Sequence, residues 1–143
     1  MKTTHRGFTL IELLVVIAII GILSSIVLSS VARARTNAFD AKVKAQLSNI
    51  RSAAEVYYSS NYNYGAATNS CAAGMFTDDA SGLSKLSTSI NYPVGENTIV
   101  CNSSGTAYAV SDNLSTGNGY WCVDSNGKSV AEASALGTAT ACP

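Results

Sequence analysis

The longest apolar segment of this 143-residue chain lies near its start. Leu13–Leu23 is a run of eleven residues without a polar side chain, and the wider segment Phe8–Ala32 carries one charge, at Glu12. About 20 apolar residues in a helix cross a bilayer, where the backbone must satisfy its own hydrogen bonds. Several β-branched residues would also suit a buried strand, but the segment is too long for one. The pattern predicts a helix that is apolar on all sides, as in lipid or a filament core.

After Arg33 the apolar side chains recur on one face of a continuing helix. Their steps of 4, 4, 3, 4 and 3 residues are typical of an amphipathic helix. No proline occurs before Pro93, so we predict one helix from Phe8 to about Tyr58. At ~1.5 Å per residue its length is roughly 75 Å. The apolar stripe, which needs a partner surface, consists of Phe39, Val43, Leu47, Ile50, Ala54 and Tyr57.

The remaining sequence predicts turns and short strands. Ser59–Gly65 is a polar, tyrosine-rich turn that ends the helix. Residues 66–97 are expected to form a long loop with one short helix over Leu83, Leu86 and Ile90. Three or four short strands cannot bury both faces of a sheet alone, so the helical stripe is expected to cover one face. The predicted antiparallel strands are Thr98–Cys101, Thr106–Ser111, Gly119–Val123 and Lys128–Ala131.

Charge and composition exclude several classes of function. The chain has nine basic and nine acidic residues, and only Lys85 and Lys128 are basic after Arg51, so any nucleic-acid binding would be weak. The single histidine, His5, lies before the apolar segment, and no catalytic constellation or Gly-rich phosphate loop is present. We therefore predict no enzyme and no cofactor.

Four cysteines, all after residue 70, indicate disulfides. No C-x-x-C pair occurs and the histidine is distant, so a zinc site is not predicted. Four cysteines allow three pairings. We favour Cys71–Cys101, which would tether the connecting loop, and Cys122–Cys142, which would pin a terminal segment with few apolar residues.

A specific motif joins the basic start of the chain to the apolar helix. Lys2 and Arg6 precede the sequence Gly7-Phe8-Thr9-Leu10-Ile11-Glu12. An acid at mid-membrane costs roughly 2.5–3.5 kcal/mol, and less near the ends, so Glu12 is expected to have a purpose. Over about residues 1–60 the chain resembles the type IV prepilins and the pseudopilins of type II secretion, which share this class III signal.

The resemblance implies a path of processing and assembly. A membrane prepilin peptidase would cut after Gly7 and methylate the new N-terminus, Phe8. In the family, subunits leave the inner membrane, where each is a single-pass protein, and form an extracellular helical filament. A cytoplasmic ATPase on an inner-membrane platform drives that step. Glu12 of one subunit would then face the Phe8 amine of another.

The resemblance also implies an α+β fold, with a long N-terminal helix packed on a small antiparallel sheet. The expected divisions are a leader (1–7), an apolar half-helix (8–32), an amphipathic half-helix (33–60), a connecting loop (61–97), and the sheet with a disulfide-closed C-terminal loop (98–143). The chain departs from the family at Ser29, where a proline commonly interrupts the helix. A serine can bond back to the helix and bend it, but it removes no backbone donor.

Other interpretations stay open. The start of the chain also fits a secretory signal with an A-x-A-like site at Ala32-Arg33-Ala34, or a plain anchor whose acid favours the helix dipole. Within the family, the alternatives are a secretion pseudopilin and a minor or DNA-uptake pilin. Some pseudopilins hold calcium near the C-terminal loops, so the resemblance makes Asp112 and Asp124 weak calcium candidates, but we favour solvated turns at both positions. From another class, the alternative is a single-pass membrane-anchored surface-binding domain. Asn102-Ser103-Ser104 and Asn113-Leu114-Ser115 match glycosylation acceptors, although such matches arise easily by chance in a Ser/Asn-rich sequence.

Overall fold

The computed structural model describes residues 7–92, 99–115 and 119–143. Most of the predicted leader (1–6), the end of the predicted loop (93–97) and the first residue of the predicted first strand (Thr98) therefore lie outside the described residues. The chain divides into two compact units, which meet between Arg35 and Thr36. Each unit is described by itself below.

One helix, α1, runs over Leu10–Asn61, three residues beyond its predicted end. It stops where Tyr62 adopts a left-handed backbone with φ 56°, and the Tyr62 N–H still donates to the Tyr58 carbonyl at 2.7 Å. A left-handed residue just after the last helical one is a common way for a helix to end. Before Arg33, α1 carries apolar side chains on every side, with Glu12 as its one charge, as its sequence predicts.

The second unit contains a four-stranded antiparallel sheet in the order β1-β2-β3-β4. Its strands are β1 (Val100–Ser103), β2 (Tyr108–Asn113), β3 (Tyr120–Asp124) and β4 (Ser129–Glu132). The predicted α+β architecture and all four predicted strands are confirmed, although each strand begins one or two residues later than predicted.

The stripe on α1 packs on one face of this sheet, as predicted. Val43, Leu47, Ile50 and Ala54 are fully buried, in one cluster with Tyr108, Val110 and Val123 of the sheet. Burying one such aliphatic side chain contributes about 1.5–3 kcal/mol, so this contact dominates the core. The ends of the stripe differ from its middle, since Phe39 is 43% exposed and Tyr57 is only partly buried.

The segment between α1 and the sheet contains three short helical pieces. These are a 3₁₀ helix at Gly74–Thr77, the helix α2 at Leu83–Leu86, and a second 3₁₀ helix at Ser89–Asn91. The prediction of one short helix reaching Ile90 was wrong, because the chain turns out of α2 at Ser87, whose hydroxyl donates to the carbonyls of Phe76 and Leu83. Ile90 lies beyond this turn and is 85% exposed.

The opposite face of the sheet is covered by the C-terminal segment. Ala109 and Cys122 pack there with Leu136 and Cys142, in a cluster separate from the one under α1. The sheet therefore has both faces covered, by α1 on one side and by the chain after β4 on the other.

Candidate assembly site

The junction between Gly7 and Phe8 lies ahead of the first turn of α1. Phe8 is 76% exposed, and none of the described residues comes within 4 Å of a Cβ built at Gly7. A peptide bond in an exposed, non-helical segment is open to a peptidase, whereas a bond inside a helix is not extended enough to enter an active site. The structure thus places the predicted cleavage point where it can be reached.

Glu12 and Thr9 form a capping box at the start of α1. One carboxylate oxygen, Oε2, accepts hydrogen bonds from the Thr9 N–H and the Thr9 hydroxyl, both at 2.8 Å. In return, the Thr9 hydroxyl oxygen accepts from the Glu12 N–H at 3.3 Å. Sequence reasoning missed the role of Thr9, although Thr-x-x-Glu before an apolar run is the sequence signature of this motif.

The capping box leaves part of the Glu12 carboxylate available. Among the described residues, no group donates a hydrogen bond to the second oxygen, Oε1. Thr9 holds one oxygen at the positive end of the helix dipole. The site therefore combines a fixed carboxylate, one open acceptor atom and the backbone nitrogen of Phe8 at the same end of the helix.

Behind this site, α1 presents an exposed apolar surface. Side chains on every side are open, including Ile11 at 75%, Leu14 at 64% and Leu28 at 71% exposed. By length and composition alone, α1 could cross a membrane. We expect this surface to be covered by lipid or by other apolar protein surfaces, because monomeric soluble proteins rarely expose so large an apolar area.

Three serines of this segment form hydrogen bonds within the helix itself. The hydroxyls of Ser25, Ser29 and Ser30 donate to carbonyls three residues earlier, at 2.8–3.0 Å. α1 is continuous through Ser29, where a proline was expected from the resemblance. These polar side chains can thus enter an apolar environment without an unmet hydrogen bond.

Two comparisons with known proteins address this region. A family model described as "Prokaryotic N-terminal methylation motif" matches residues 2–28. Over 59 residues the chain is 44% identical to the "Type IV wide pilus major component PilA4" of Thermus thermophilus. Over part of its length the chain is therefore similar to a type IV pilin.

The likeness to PilA4 covers 41% of this chain and 45% of the relative's length. The motif and the relative support a structural-subunit role of the pilin type, and the α+β architecture is pilin-like.

Two disulfides close the second unit of this chain. Cys71 is joined to Cys101 and Cys122 to Cys142, with Cα–Cα distances of 4.9 and 5.9 Å. This is the pairing favoured from the sequence. The first disulfide attaches the connecting segment to β1, and the second attaches the end of the chain to β3.

Asp124 holds the C-terminal loop against the sheet beside the second disulfide. Its Oδ1 accepts from the N–H groups of Asn126 and Lys128, both at 2.9 Å, and its Oδ2 accepts from the Cys142 N–H at 3.0 Å. The Lys128 ammonium also donates to the Cys142 carbonyl at 2.9 Å. The Asp before a Ser-Asn-Gly turn signals the turn bonds, but only the folded chain reveals the bond to Cys142.

The two calcium candidates are buried structural side chains. The expectation of solvated turns was wrong, since Asp112 and Asp124 are both 0% exposed. They lie on opposite faces of the sheet, because Asp112 is paired with Trp121 and Asp124 with Ala109, three residues apart along β2. Within the described ranges, no group of three potential ligands surrounds either carboxylate.

The two glycosylation patterns have different surroundings. Asn102 is fully buried, and its amide donates to the carbonyls of Gly137 and Ala139 at 2.9 and 2.8 Å, so the folded chain cannot accept a glycan there. In the second pattern the Ser115 hydroxyl donates to Asp40 at 2.7 Å, which ties the loop after β2 to α1.

Three tyrosine rings contact one another near the end of α1. Tyr64 lies between Tyr58 and Tyr108, with ring centroids 4.8 and 4.9 Å apart. The Tyr64 hydroxyl donates to Glu55 at 2.9 Å. Partial burial, followed by this hydrogen bond, raises the pKa of Tyr64 to about 12. These ring contacts pack the turn after α1 onto the sheet.

Proposed function

We propose that this chain is the structural subunit of an extracellular type IV pilus-like filament. The observation that carries the proposal is the joint presence of the matched N-terminal motif and an apolar helix surface with no cover in the single chain. An apolar surface of this kind is stable in a bilayer or when packed on copies of itself, and a subunit that moves from one to the other requires both.

The first step is maturation at the exposed junction. A prepilin peptidase cuts between Gly7 and Phe8 and methylates the Phe8 amine. A β-branched residue at the cut should block the peptidase, so Gly7→Val is expected to leave the leader attached. Intact mass and N-terminal peptide mass spectrometry would check this, with Gly21→Val as the matched control outside the junction. A mature N-terminus at Phe8 in Gly7→Val would refute the requirement for glycine, and a wild-type protein that does not begin at Phe8 would refute the cut.

The second step is pairing between subunits. Oε1 of Glu12 accepts a hydrogen bond from the Phe8 ammonium of a neighbouring copy, while the bonds from Thr9 hold Oε2 in place. Each charge alone is costly in an apolar environment, and their attraction grows as the local dielectric falls. The pair therefore favours a staggered arrangement in which the apolar surfaces of neighbouring helices pack on one another.

The partners follow from these steps. Before assembly, the mature chain is a single-pass protein of the inner membrane. An assembly platform with its cytoplasmic ATPase then adds it to the growing filament. Copies of the same chain provide the contacts along Leu10–Val31, where dispersion forces between closely packed helices supply the cohesion.

Electron microscopy of material sheared from the cell surface tests the proposal directly. We expect filaments whose proteolytic peptides derive mainly from this chain, beginning at Phe8. Surface material without such filaments, together with purified monomers that still begin at Met1, would refute a filament subunit. Filaments in which this chain is a trace component would favour a minor pilin or a pseudopilin.

A further inference from the structure

The two disulfides of this chain differ in their access to solvent. Cys122 and Cys142 are 0% and 3% exposed, inside the cluster under the C-terminal segment. Cys101 is 1% exposed, but its partner Cys71 is only partly buried. Of the four cysteines, Cys71 is thus the one that a molecule in solution can approach.

Cys71 lines an open groove of 770 Å³ between the connecting segment and the start of β1. The walls carry hydroxyl groups, including those of Ser84 and Thr88, with Ile99 as an apolar side and Asp79 as an acid. No lysine or arginine is among the described residues that line it. The Thr88 hydroxyl donates to the Ser84 carbonyl, and the Ser84 hydroxyl donates to Asp79, so both hydroxyl protons are already used and the oxygens are left as acceptors.

We propose that Cys71 is a thiol–disulfide exchange site, through which the Cys71–Cys101 bond is formed and broken. The groove admits a low-molecular-weight thiol or disulfide whose reacting end is neutral or cationic. An anionic reagent is disfavoured by the Asp79 carboxylate and by the acceptor-lined walls. The second disulfide is closed to the same reagents.

The exchange balances in both directions. In reduction, an incoming thiolate attacks the Cys71 sulfur, the bond to Cys101 breaks, and Cys101 leaves as a thiolate that takes a proton from water. A second thiolate then attacks the mixed disulfide and releases Cys71. In formation, the Cys71 thiolate attacks an incoming disulfide and expels a thiolate, and Cys101 then displaces the remaining sulfur group from Cys71.

Release of this bond is expected to have a local effect. The segment around Cys71 remains attached through the backbone bonds between Thr68 and Ser103, at 2.9 and 3.0 Å, and through the buried side chains of Met75 and Phe76. Cys71 packs at the margin of the core cluster between α1 and the sheet and is not one of its buried members, whereas Cys101 is. The groove can therefore open at Cys71 while the core stays folded.

The first test uses the full mature chain in detergent, treated with a limiting thiol reductant. Free cysteines are alkylated at intervals and located by peptide mass spectrometry. We expect Cys71 to be labelled at least about tenfold faster than Cys122 and Cys142, because Cys71 is open to the reagent, whereas Cys101 stays buried and is labelled slowly. Equal rates, or faster labelling of the C-terminal pair, would overturn the proposal.

Single substitutions identify which sulfur meets the reagent. Cys101→Ala leaves Cys71 in the groove and should react rapidly with a disulfide reagent. Cys71→Ala leaves Cys101 buried and should react slowly. The reverse order would show that Cys101 is the exchanging residue. If both variants react quickly, the groove has lost its shape, and the labelling order in the wild-type chain decides.

Reagent charge tests the role of the groove. Rates per thiolate are compared for cysteamine, which is cationic, and 2-mercaptoethanesulfonate, which is anionic. We expect a preference for cysteamine at low salt, which Asp79→Asn should reduce by about threefold. If the ratio of the cysteamine rate to the 2-mercaptoethanesulfonate rate is the same in wild type and in Asp79→Asn, the reagent does not reach Cys71 through the groove and the proposal is contradicted.

Discussion

Substitution of Asp124 by asparagine isolates the hydrogen bonds that hold the C-terminal loop. Asparagine keeps the shape of the side chain and one acceptor oxygen, so it can still bind the N–H groups of Asn126 and Lys128. Its amide NH₂ then faces the Cys142 N–H, which loses its acceptor at a buried position. A buried donor without a partner costs about 1–3 kcal/mol, and the two remaining bonds lose their charge assistance.

The charge of Asp124 is itself costly to bury, so its removal returns part of this free energy. We expect a net loss of about 2 kcal/mol for Asp124→Asn, with a fall in melting temperature on the order of 10 °C for a folded unit of this size. The Cys122–Cys142 bond still closes the loop in this variant, so the change reports the carboxylate and not the crosslink.

Thermal melting followed by circular dichroism measures the loss, and hydrogen exchange locates it. Exchange should accelerate in the peptide that contains Cys142 and stay slow in the part of α1 around Leu47. Asp78→Asn is the matched control, because Asp78 accepts from the Ser81 N–H in a partly exposed turn. An Asp124→Asn protein with wild-type melting and unchanged exchange would refute this account of the loop.

Two further predictions concern backbone and side-chain chemistry in the same unit. Gly119 has φ 78°, and a Cβ there would overlap the Glu132 carbonyl oxygen at the end of β4, so Gly119→Ala should destabilise the fold by more than about 2 kcal/mol. Gly127→Ala, with φ 84° but open space around the Cβ, should cost about 1 kcal/mol, and equal denaturation midpoints would contradict the steric argument. The raised pKa of Tyr64 means that its protonated form stabilises the fold up to pH 10 and that this contribution is lost as the pH rises toward 12. In Glu55→Gln, an ultraviolet titration should show Tyr64 ionising at lower pH, and an unchanged titration would exclude the hydrogen bond as a cause.

The sequence predicts the regular elements of this fold because their patterns are local. The spacing of Val43, Leu47 and Ile50 identifies the buried face of α1 without knowledge of its partner. The 3₁₀ helix at Gly74–Thr77 gives no such signal, since it is too short for a period and is fixed by the burial of Met75 and Phe76. Phe39 belongs to the helical period, yet it is 43% exposed in the single chain.

The site was predictable to a similar degree. Gly7, Phe8 and Glu12 are identified by their order along the chain, and the motif match includes all three. The role of Thr9 as a helix cap was not predicted, although its Thr-x-x-Glu signature is visible in the sequence. The burial of Asp112 and Asp124 was not predictable, because it depends on contacts between segments that are distant in sequence.

The central claim is that the charge of Glu12, and not its capping bonds, drives assembly. Glu12→Gln separates the two, because glutamine also caps a helix at this position but carries no charge to pair with the Phe8 amine. Thr9→Ala is the complementary control, since it weakens the cap and keeps the carboxylate. Filaments are counted by electron microscopy at equal levels of processed, membrane-inserted subunit. We predict that Glu12→Gln forms few or no filaments while Thr9→Ala still assembles; normal filaments from Glu12→Gln would contradict the account.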